Sequence, residues 1–329
     1  MSRTLVAVDG GNSKTDVAVV SDGGELLAAV RGPGFRPQAH GVDGAVTMLS
    51  GLIADALARA GRGTADQVAA FLAGADFPEE EERLEKALAA RGTARHVRVA
   101  NDTFALLRTG SAMGWGVAIV CGAGINCLGV GPDGRTARFP SLGRITGDWG
   151  GGSDLGAEAL WHAVRGEDGR GPRTALTAAV AAHFGLARAE DVGLGVHRGD
   201  IAWERLTSLA PVLLDTAEAG DRVARGLTDR LGEEIMLLGV TALRRLDLLG
   251  SPAEVVLGGG VLTARRPILM DTIERHYAAR APRARLVVAD DPPVLGATLL
   301  GLDLLGAAPA AHQVVRAAFG PPWRPPVRS

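Results

Sequence analysis

The chain has 329 residues, 47% of them apolar and 22% charged, which is the composition of an ordinary globular protein. A length above the roughly 100–200 residues of one domain predicts two domains. The net charge of −2 and the scattered basic residues provide no field that would concentrate nucleic acid or anionic lipid, so neither partner is expected.

The first residues, MSRTLVAVDGG, contain no basic segment followed by a long apolar run, and no stretch reaches 18 uninterrupted apolar residues. We therefore expect a cytoplasmic protein with no membrane partner. Cys121 and Cys127 are too few for a disulfide scaffold, and neither belongs to a C-x-x-C or Cys/His cluster that would suggest zinc. Both are expected to be reduced thiols packed in or beside a strand.

The first third of the chain alternates between predicted strands and helices. Each strand is a short apolar run and each helix shows apolar residues at helical spacing. The order β-β-β-α-β-α-β-α implies a mixed sheet with helices on its faces. The strands are predicted at 5–8, 16–20, 26–31, 68–72 and 97–100, and the helices at 42–60, at 78–90 and from Asn101 onward.

A second strand–turn–strand pattern resembles the first. AIVCGAGINCLGV aligns with VAVDGGNSKTDVAVV so that Cys121 falls on Asp9, at an offset of 112 (121 − 9). Such a repeat makes an internal duplication plausible. The predicted elements of this part are strands at 117–120 and 125–130, a third strand after the turn at 132–134, helices over 154–249, strands at 254–257 and 285–289, and helices to about 279 and over 294–305. The proline-rich residues from 307 onward predict a loose extension.

The segment from Asp9 to Thr15 lies between two predicted strands. Its glycines permit a tight turn whose backbone N–H groups can approach phosphate oxygens, and the Ser, Lys and Thr that follow add donors. Asp9, at the carboxyl end of a strand, is placed to hold hydrated Mg²⁺, which takes one or two carboxylates. A Walker loop is excluded, because TDVAVV after the turn is a strand and not a helix. An ordinary hairpin turn remains the alternative.

Asn101-Asp102-Thr103 follows a buried strand and begins a helix. Either Asn101 or Asp102 could simply cap the helix. The end of a sheet strand is also where open α/β folds bind ligands, and a carboxylate there, ionised at pH 7, could accept a hydroxyl proton during phosphoryl transfer.

Three further glycine clusters follow. Gly122-Ala123-Gly124 predicts a second phosphate-facing turn, and Gly258-Gly259-Gly260 joins a strand to a helix. The run 147–154 (GDWGGGSD) predicts a flexible loop, with Asp148 able to hold sugar hydroxyls and a helix starting at Ser153 or Asp154. The alternative for this run is a plain helix-entry loop.

In this order the motifs resemble the actin-like sugar kinase and heat-shock ATPase superfamily, and more closely the N-acetylglucosamine kinase branch of the BadF/BadG/BcrA/BcrD ATPase family, from Val8 to about Leu305. The resemblance implies an α/β fold of two actin-like lobes, each of ribonuclease-H-like topology, with ATP and Mg²⁺ in the cleft between them. The expected divisions are an N-terminal lobe over 1–113 joined by the helix at 293–306, a C-terminal lobe over 114–292, and a tail over 307–329.

The resemblance also assigns roles to residues. It places Mg²⁺ on Asp9 and makes Asp102 the catalytic base. The expected ATP contacts are Gly10, Gly11, Asn12, Ser13, Lys14, Thr15, Gly122, Ala123, Gly124, Gly258, Gly259 and Gly260. The expected substrate contacts are Arg36, Gln38, Asp76, Asn101, Asp102, Gly147 and Asp148.

Three departures from the family pattern bear on the substrate. Asn12 and Cys121 replace Gly and Ser, and Trp149 stands where amino-sugar kinases often carry Glu. The segment 32–38 has Arg36-Pro37 in place of an Asn-His pair, and Arg36 could meet an acidic sugar or point into solvent. The sugar and the oligomeric state therefore stay open, a homodimer among the options.

Three functions were weighed. The first is an ATP-dependent kinase of an amino sugar such as N-acetylglucosamine or glucosamine, or of an acidic sugar. The second is an ATPase coupled to a partner protein through an iron–sulfur cluster, which would need widely separated cysteines that this chain lacks. The third is a sugar-sensing regulator, which would call for a DNA-binding module.

Overall fold

The computed structural model describes residues 2–320, 323 and 325. The chain divides into two compact units, Met1–Trp115 with Ala289–Ser329, and Gly116–Val288. The strands are β1 (Thr4–Gly10), β2 (Lys14–Ser21), β3 (Leu26–Pro33), β4 (Ala65–Leu72), β5 (Ala94–Asn101), β6 (Gly116–Cys121), β7 (Ile125–Val130), β8 (Thr136–Arg138), β9 (Glu254–Gly258) and β10 (Arg285–Val288).

The helices are α1 (Pro37–Arg59), α2 (Pro78–Ala89), α3 (Asp102–Gly110), α4 (Gly151–Asp168), α5 (Leu176–His183), α6 (Ala189–Arg198), α7 (Leu209–Glu218), α8 (Arg222–Arg245), α9 (Gly260–Thr263), α10 (Pro267–Arg280), α11 (Pro293–Leu305) and α12 (Pro309–Ala318). Short 3₁₀ turns lie at Gly143–Thr146 and Trp203–Ser208.

The first unit contains a five-stranded sheet in the order β3-β2-β1-β4-β5. β1 pairs antiparallel with β2 and parallel with β4, and β4 pairs parallel with β5. The central strands are apolar on both faces because each face packs on helices, which is why β1 reads as an apolar run and not as an alternating pattern. One core cluster joins the sheet to α1 and α2, and another joins it to α3 and α11.

Helix α1 is the one helix of the described residues that is long and apolar enough to cross a membrane. Its apolar face instead belongs to the core, where Val46, Leu49 and Ile53 are buried. Gly41, at φ 70°, interrupts the helix near its start. The predicted helix from Val42 to Ala60 corresponds to the continuous part after that kink.

The second unit repeats the topology. Its sheet has the order β10-β9-β6-β7-β8. β6 pairs antiparallel with β7 and parallel with β9, just as β1 in the first unit pairs antiparallel with β2 and parallel with β4. This correspondence agrees with the repeat seen between the two glycine turns. Helices α4 to α8 are inserted between β8 and β9, within the helical region predicted over 154–249, and α8, with 24 residues, is the longest of them.

The C-terminal residues are not the loose extension expected from their prolines. Helix α12 begins at Pro309, a favourable first helical position, and its Ala311 and Val315 are buried, as is Phe319 just after it. These residues recur at intervals of four and form one apolar face against the core of the first unit. The prolines at 321, 322 and 326 lie outside the described residues.

Candidate active site

Four strand ends of the first unit meet at one edge of its sheet. Since β2 is antiparallel to both β1 and β3, β3 runs in the same direction as β1, β4 and β5. The loops that leave these four strands therefore lie side by side, at the carboxyl edge where α/β sheets bind ligands. They carry Asn12, Arg36, Asp76 and Asp102.

The glycine turn between β1 and β2 is closed by a hydrogen bond from Gly11 N to Lys14 O at 2.9 Å. The β3–α1 loop packs on it, since Phe35 N donates to Gly11 O at 2.9 Å and Arg36 Nε donates to Asn12 O at 2.7 Å. Asn12 and Ser13 are exposed and can approach a ligand. Thr15 was expected among the phosphate donors, but it is buried in β2 and its hydroxyl donates to Pro33 O at 2.7 Å. That expectation is wrong for its side chain.

Asp9 lies at the end of β1 and is only 7% exposed. Burial raises the pKa of its carboxyl to about 7, Lys14 opposes that rise, and Asp16 and Asp102 add to it. Among the described residues, no hydrogen bond to this carboxyl occurs. A buried acid with nearby negative charge and unused oxygens fits a cation, and hydrated Mg²⁺ needs only one or two such carboxylates. No group of three or more His, Cys, Asp or Glu side chains suited to a metal occurs in the described part of the chain.

Asn101 is the residue that caps α3. Its side-chain oxygen accepts from Thr103 N at 3.1 Å, while its Nδ2 donates to Asp76 Oδ1 at 2.9 Å. Asp102 is the first residue of the helix, and the cap does not depend on its carboxyl. The capping role and the proposed catalytic role of this motif therefore belong to different residues. Asn101 caps the helix, and the Asp102 carboxyl is available to act as a base.

The pKa of Asp102 is raised to about 7, first by burial and then by the negative charge of Asp76. The backbone N–H groups of Thr103 and of Asp102 itself lower it, as a helix N-terminus should. Burial is the larger effect. The surroundings of Asp102 therefore favour its protonated form more than the sequence context predicts.

Three glutamates of α2 accept hydrogen bonds from backbone N–H groups of β5 and of the loop after β4. Glu80 Oε2 accepts from Asp76 N at 2.9 Å, and Glu81 Oε1 accepts from Asn101 N at 3.1 Å. Glu85 Oε2 accepts from Val99 N at 2.9 Å, one strand position before Ala100. The sequence analysis did not identify these contacts, because a run of glutamates on a helix indicates a solvated face. Glu81, only 8% exposed, is the exception in that run.

The expected substrate residues Arg36 and Gln38 are exposed. Gln38 Nε2 lies 3.4 Å from Gly74 O, in the loop that also carries Asp76. Residues from Pro37 onward belong to the first turns of α1, so the expected loop is helical over 37–40. The first unit therefore brings Arg36, Gln38, Asp76, Asn101 and Asp102 to the same edge as the glycine turn.

In the second unit the turn at 122–124 is enclosed by other glycines. Gly152 N donates to Gly122 O at 2.7 Å, and Gly151, at φ 79°, would place a Cβ 2.5 Å from the Gly124 Cα. Gly259, at φ 84°, would place one 2.5 Å from the Cys121 carbonyl carbon. The glycines thus permit close backbone packing around the turn. Helix α4 begins at Gly151, two or three residues before the predicted start at Ser153 or Asp154, so Gly151 and Gly152 belong to the helix and not to the predicted flexible loop.

Gly147 and Asp148 lie just before α4. Asp148 is 8% exposed and accepts a hydrogen bond from Thr146 Oγ1 at 2.5 Å. Trp149, which stands at the departure from the family pattern, is buried, with the Arg230 guanidinium carbon 4.0 Å from its ring centre.

Both cysteines are buried and free, and burial raises the pKa of the Cys121 thiol to about 12 and that of Cys127 still further. Thiols of this kind are poor metal ligands, because it is the thiolate that binds a metal. The iron–sulfur interpretation gains no support from them.

Known sugar kinases resemble this chain in sequence and in fold. The N-acetyl-D-glucosamine kinase of Dictyostelium discoideum is 25% identical over 325 residues, which cover 92% of this chain and 99% of that kinase. The N-acetylmuramic acid/N-acetylglucosamine kinase of Clostridium acetobutylicum is 25% identical over 301 residues, covering 91% and 98%.

Among solved structures, one described as an N-acetylglucosamine kinase from Chromobacterium violaceum has a TM-score of 0.71 at 23% identity, covering 91% of this chain and 99% of its own. That likeness establishes the shared sugar-kinase fold. The model of the BadF/BadG/BcrA/BcrD ATPase family matches residues 6–301, most of the chain. The chain therefore belongs to the BadF/BadG/BcrA/BcrD ATPase family.

Proposed function

We propose that the protein is an ATP-dependent kinase that phosphorylates a hydroxyl of an amino sugar, with Asp102 as the general base. The observation that carries the proposal is the separation of roles at the start of α3. Asn101 caps the helix and orients Asp76, which leaves a partly buried carboxyl at the sheet edge beside the glycine turn.

Asp102 would accept the proton of the sugar hydroxyl as the hydroxyl oxygen bonds to the γ-phosphorus of ATP and the bond from that phosphorus to the departing ADP breaks. A sugar hydroxyl is far too weak an acid to ionise beforehand, so the base is needed as the transition state develops. A pKa of about 7 is close to the working pH, where a general base is most effective.

The glycine turn of the first unit, with Asn12, Ser13 and Lys14, would contact the phosphates of ATP. The turn at 122–124 and the segment Gly258–Gly260 would contact the nucleotide from the second unit. Asp9 would hold hydrated Mg²⁺, which neutralises charge that develops on the phosphoryl oxygens. Each unit has the sheet topology of one of the two lobes implied by the resemblance, and we propose a cytoplasmic location, where ATP is available.

The names of the relatives support an amino sugar. One is a kinase of N-acetylglucosamine, and the other also has N-acetylmuramic acid, which carries a carboxylate, in its name. For this chain, Asp148 would hold sugar hydroxyls, with Arg36 and Gln38 near the same substrate.

An ADP-release assay with Mg²⁺-ATP tests the proposal. The panel contains N-acetylglucosamine, glucosamine, N-acetylmuramic acid and glucose, with a reaction lacking sugar as the control. ADP release that depends on an amino sugar, with a phosphosugar product seen by mass spectrometry, is expected. ADP release at the same rate with and without every sugar would instead point to a partner-coupled ATPase.

A further inference from the structure

An ion cluster in the first unit joins Lys14 to two residues that have no role so far, Arg31 and the buried Asp16. Asp16, in β2, has no exposed side-chain surface, and two cationic side chains contact its carboxyl group. Its carboxylate accepts from Arg31 through Nε at 2.6 Å and Nη2 at 2.9 Å, and from Lys14 Nζ at 2.5 Å. Sequence alone does not reveal this cluster, because Arg31 and Asp16 meet only through the register of β2 on β3.

The register places the cluster beside the proposed nucleotide site. Asp16 lies directly opposite Asp9 on β1 and opposite Arg31 on β3. Directly paired residues share a face of the sheet, and so do residues two apart on one strand. Asp9, Lys14, Asp16 and Arg31 therefore point to the same face, with Lys14 nearest the glycine turn.

An apolar pair of similar volume could hold these strands together about as well as the cluster does. A buried ion pair contributes little stability beyond that of an apolar pair of similar volume, because desolvation offsets the attraction. What a buried carboxylate does provide is a fixed direction for its partners. Arg31 makes a bidentate contact with the Asp16 carboxylate, which offsets its negative charge. The same carboxylate restrains the Lys14 side chain, which is 43% exposed.

We propose that Asp16 is a positioning residue that fixes the Lys14 ammonium at the sheet edge for the phosphates of a nucleotide. Arg31 also contacts the Asp16 carboxylate, so Lys14 is not its only partner and the Lys14 ammonium can face an anionic ligand as well. The inference rests on the proposed kinase function, which supplies that ligand. Asp16 itself does not touch the nucleotide.

A double-mutant cycle on nucleotide affinity tests this role. The affinity for Mg²⁺-ATP is measured by calorimetry for the unaltered chain, Asp16→Asn, Lys14→Ala and the double variant. Each single substitution should weaken binding about ten- to a hundredfold, the effect of one charge-assisted hydrogen bond. The double variant should bind no more weakly than Lys14→Ala, because Asp16 acts only through Lys14.

Asp66→Asn is the matched control. Asp66 lies in the same sheet, at the opposite edge, where it accepts from Thr4 N at 2.8 Å and lies 3.7 Å from Arg95. The Asp66→Asn variant loses a carboxylate, as Asp16→Asn does, but its nucleotide affinity should equal that of the unaltered chain. Thermal melting of every variant separates loss of fold from loss of affinity.

Arg31→Lys keeps the charge beside Asp16 and removes the two-pronged contact, so it provides a second variant should Asp16→Asn fail to fold. As a single substitution, Arg31→Lys should weaken nucleotide binding. Combined with Lys14→Ala, it should weaken binding little further. The positioning role would be overturned if the losses of nucleotide affinity caused by the single substitutions multiplied in the double variants. It would also be overturned if Asp16→Asn bound Mg²⁺-ATP as tightly as Asp66→Asn does. No binding of Mg²⁺-ATP by the unaltered chain would overturn the kinase proposal itself.

Discussion

Asp102 can be replaced without disturbing the start of its helix, since Asn101 provides the cap. Asp102→Asn should therefore lower kcat by roughly 10²–10⁴-fold, the contribution of a general base, with ATP affinity and, at pH 4, the melting temperature nearly unchanged. Single-turnover phosphoryl transfer and thermal melting measure the two effects. Asp66→Asn serves again as the control, and normal turnover of a folded Asp102→Asn variant would show that this carboxyl is not the base.

The raised pKa of Asp102 predicts how the reaction depends on pH. The logarithm of kcat/KM should rise with pH and level off above about 7, because the base must be ionised. Asp76→Asn removes the neighbouring negative charge, so the same profile should move to lower pH. A profile already flat from pH 5, or one that Asp76→Asn leaves in place, would contradict this account.

Stability should respond to the same group. A carboxyl whose pKa is raised on folding binds more protons in the folded state, so its contribution to the free energy of unfolding falls as pH rises from about 4 to about 7. Each pKa unit corresponds to about 1.4 kcal/mol. Asp102→Asn should thus be more stable than the unaltered chain at pH 8 but not at pH 4, as denaturant titrations at the two pH values would show.

Asp9 is predicted to act through the metal. Asp9→Asn removes the one charge of the site that has no hydrogen-bonded partner among the described residues, so activity should become less responsive to Mg²⁺. The measurement is a titration of initial rate against Mg²⁺ at saturating ATP. An unchanged Mg²⁺ titration would assign the metal to other ligands.

At the scale of elements, the start of α4 supports the glycine turn at 122–124 by close backbone contact. Gly151→Ala would bring a Cβ to 2.5 Å from the Gly124 Cα, and Gly134→Ala, at φ 83°, would meet nothing within 4 Å. Both variants carry the strain of a positive φ, about 1–2 kcal/mol. Only Gly151→Ala should also weaken ATP binding, roughly tenfold or more, because it displaces the turn. Equal affinities would remove the turn from the nucleotide site.

Most elements could be predicted from the sequence because they carry local signals. The apolar run of β1, the spacing of α8 and the glycine turns depend on neighbouring residues alone. The contact between Asp16 and Arg31 depends on strand register, and the hydrogen bond from Asn101 N to Glu81 depends on how α2 packs against the sheet. Neither contact is visible in the sequence. Helix α12 is not predicted, because the prolines around it indicate a loose extension and obscure the four-residue repeat of its buried positions.

For the whole molecule, the open question of the sugar is best addressed at Arg36. Its Nε donates to Asn12 O, which leaves the other guanidinium nitrogens for a ligand. If Arg36 meets a substrate carboxylate, the ratio of kcat/KM for N-acetylmuramic acid over N-acetylglucosamine should fall roughly ten- to a hundredfold in Arg36→Ala. An unchanged ratio would exclude a role of Arg36 in recognising acidic sugars and favour a neutral amino sugar.

The first unit is assembled from both ends of the chain, and this imposes an order on biosynthesis. Its core includes Leu295, Leu299 and Leu302 of α11, which leave the ribosome only after the whole second unit has been made. At 5–20 residues per second, the 173 residues of the second unit (288 − 115) take roughly 10–35 s to synthesise. During that time the second unit can fold as a continuous segment, whereas the sheet that carries Asp9 and Asp102 keeps one apolar face uncovered. The nascent N-terminal segment should therefore be the part of this chain that most needs a chaperone.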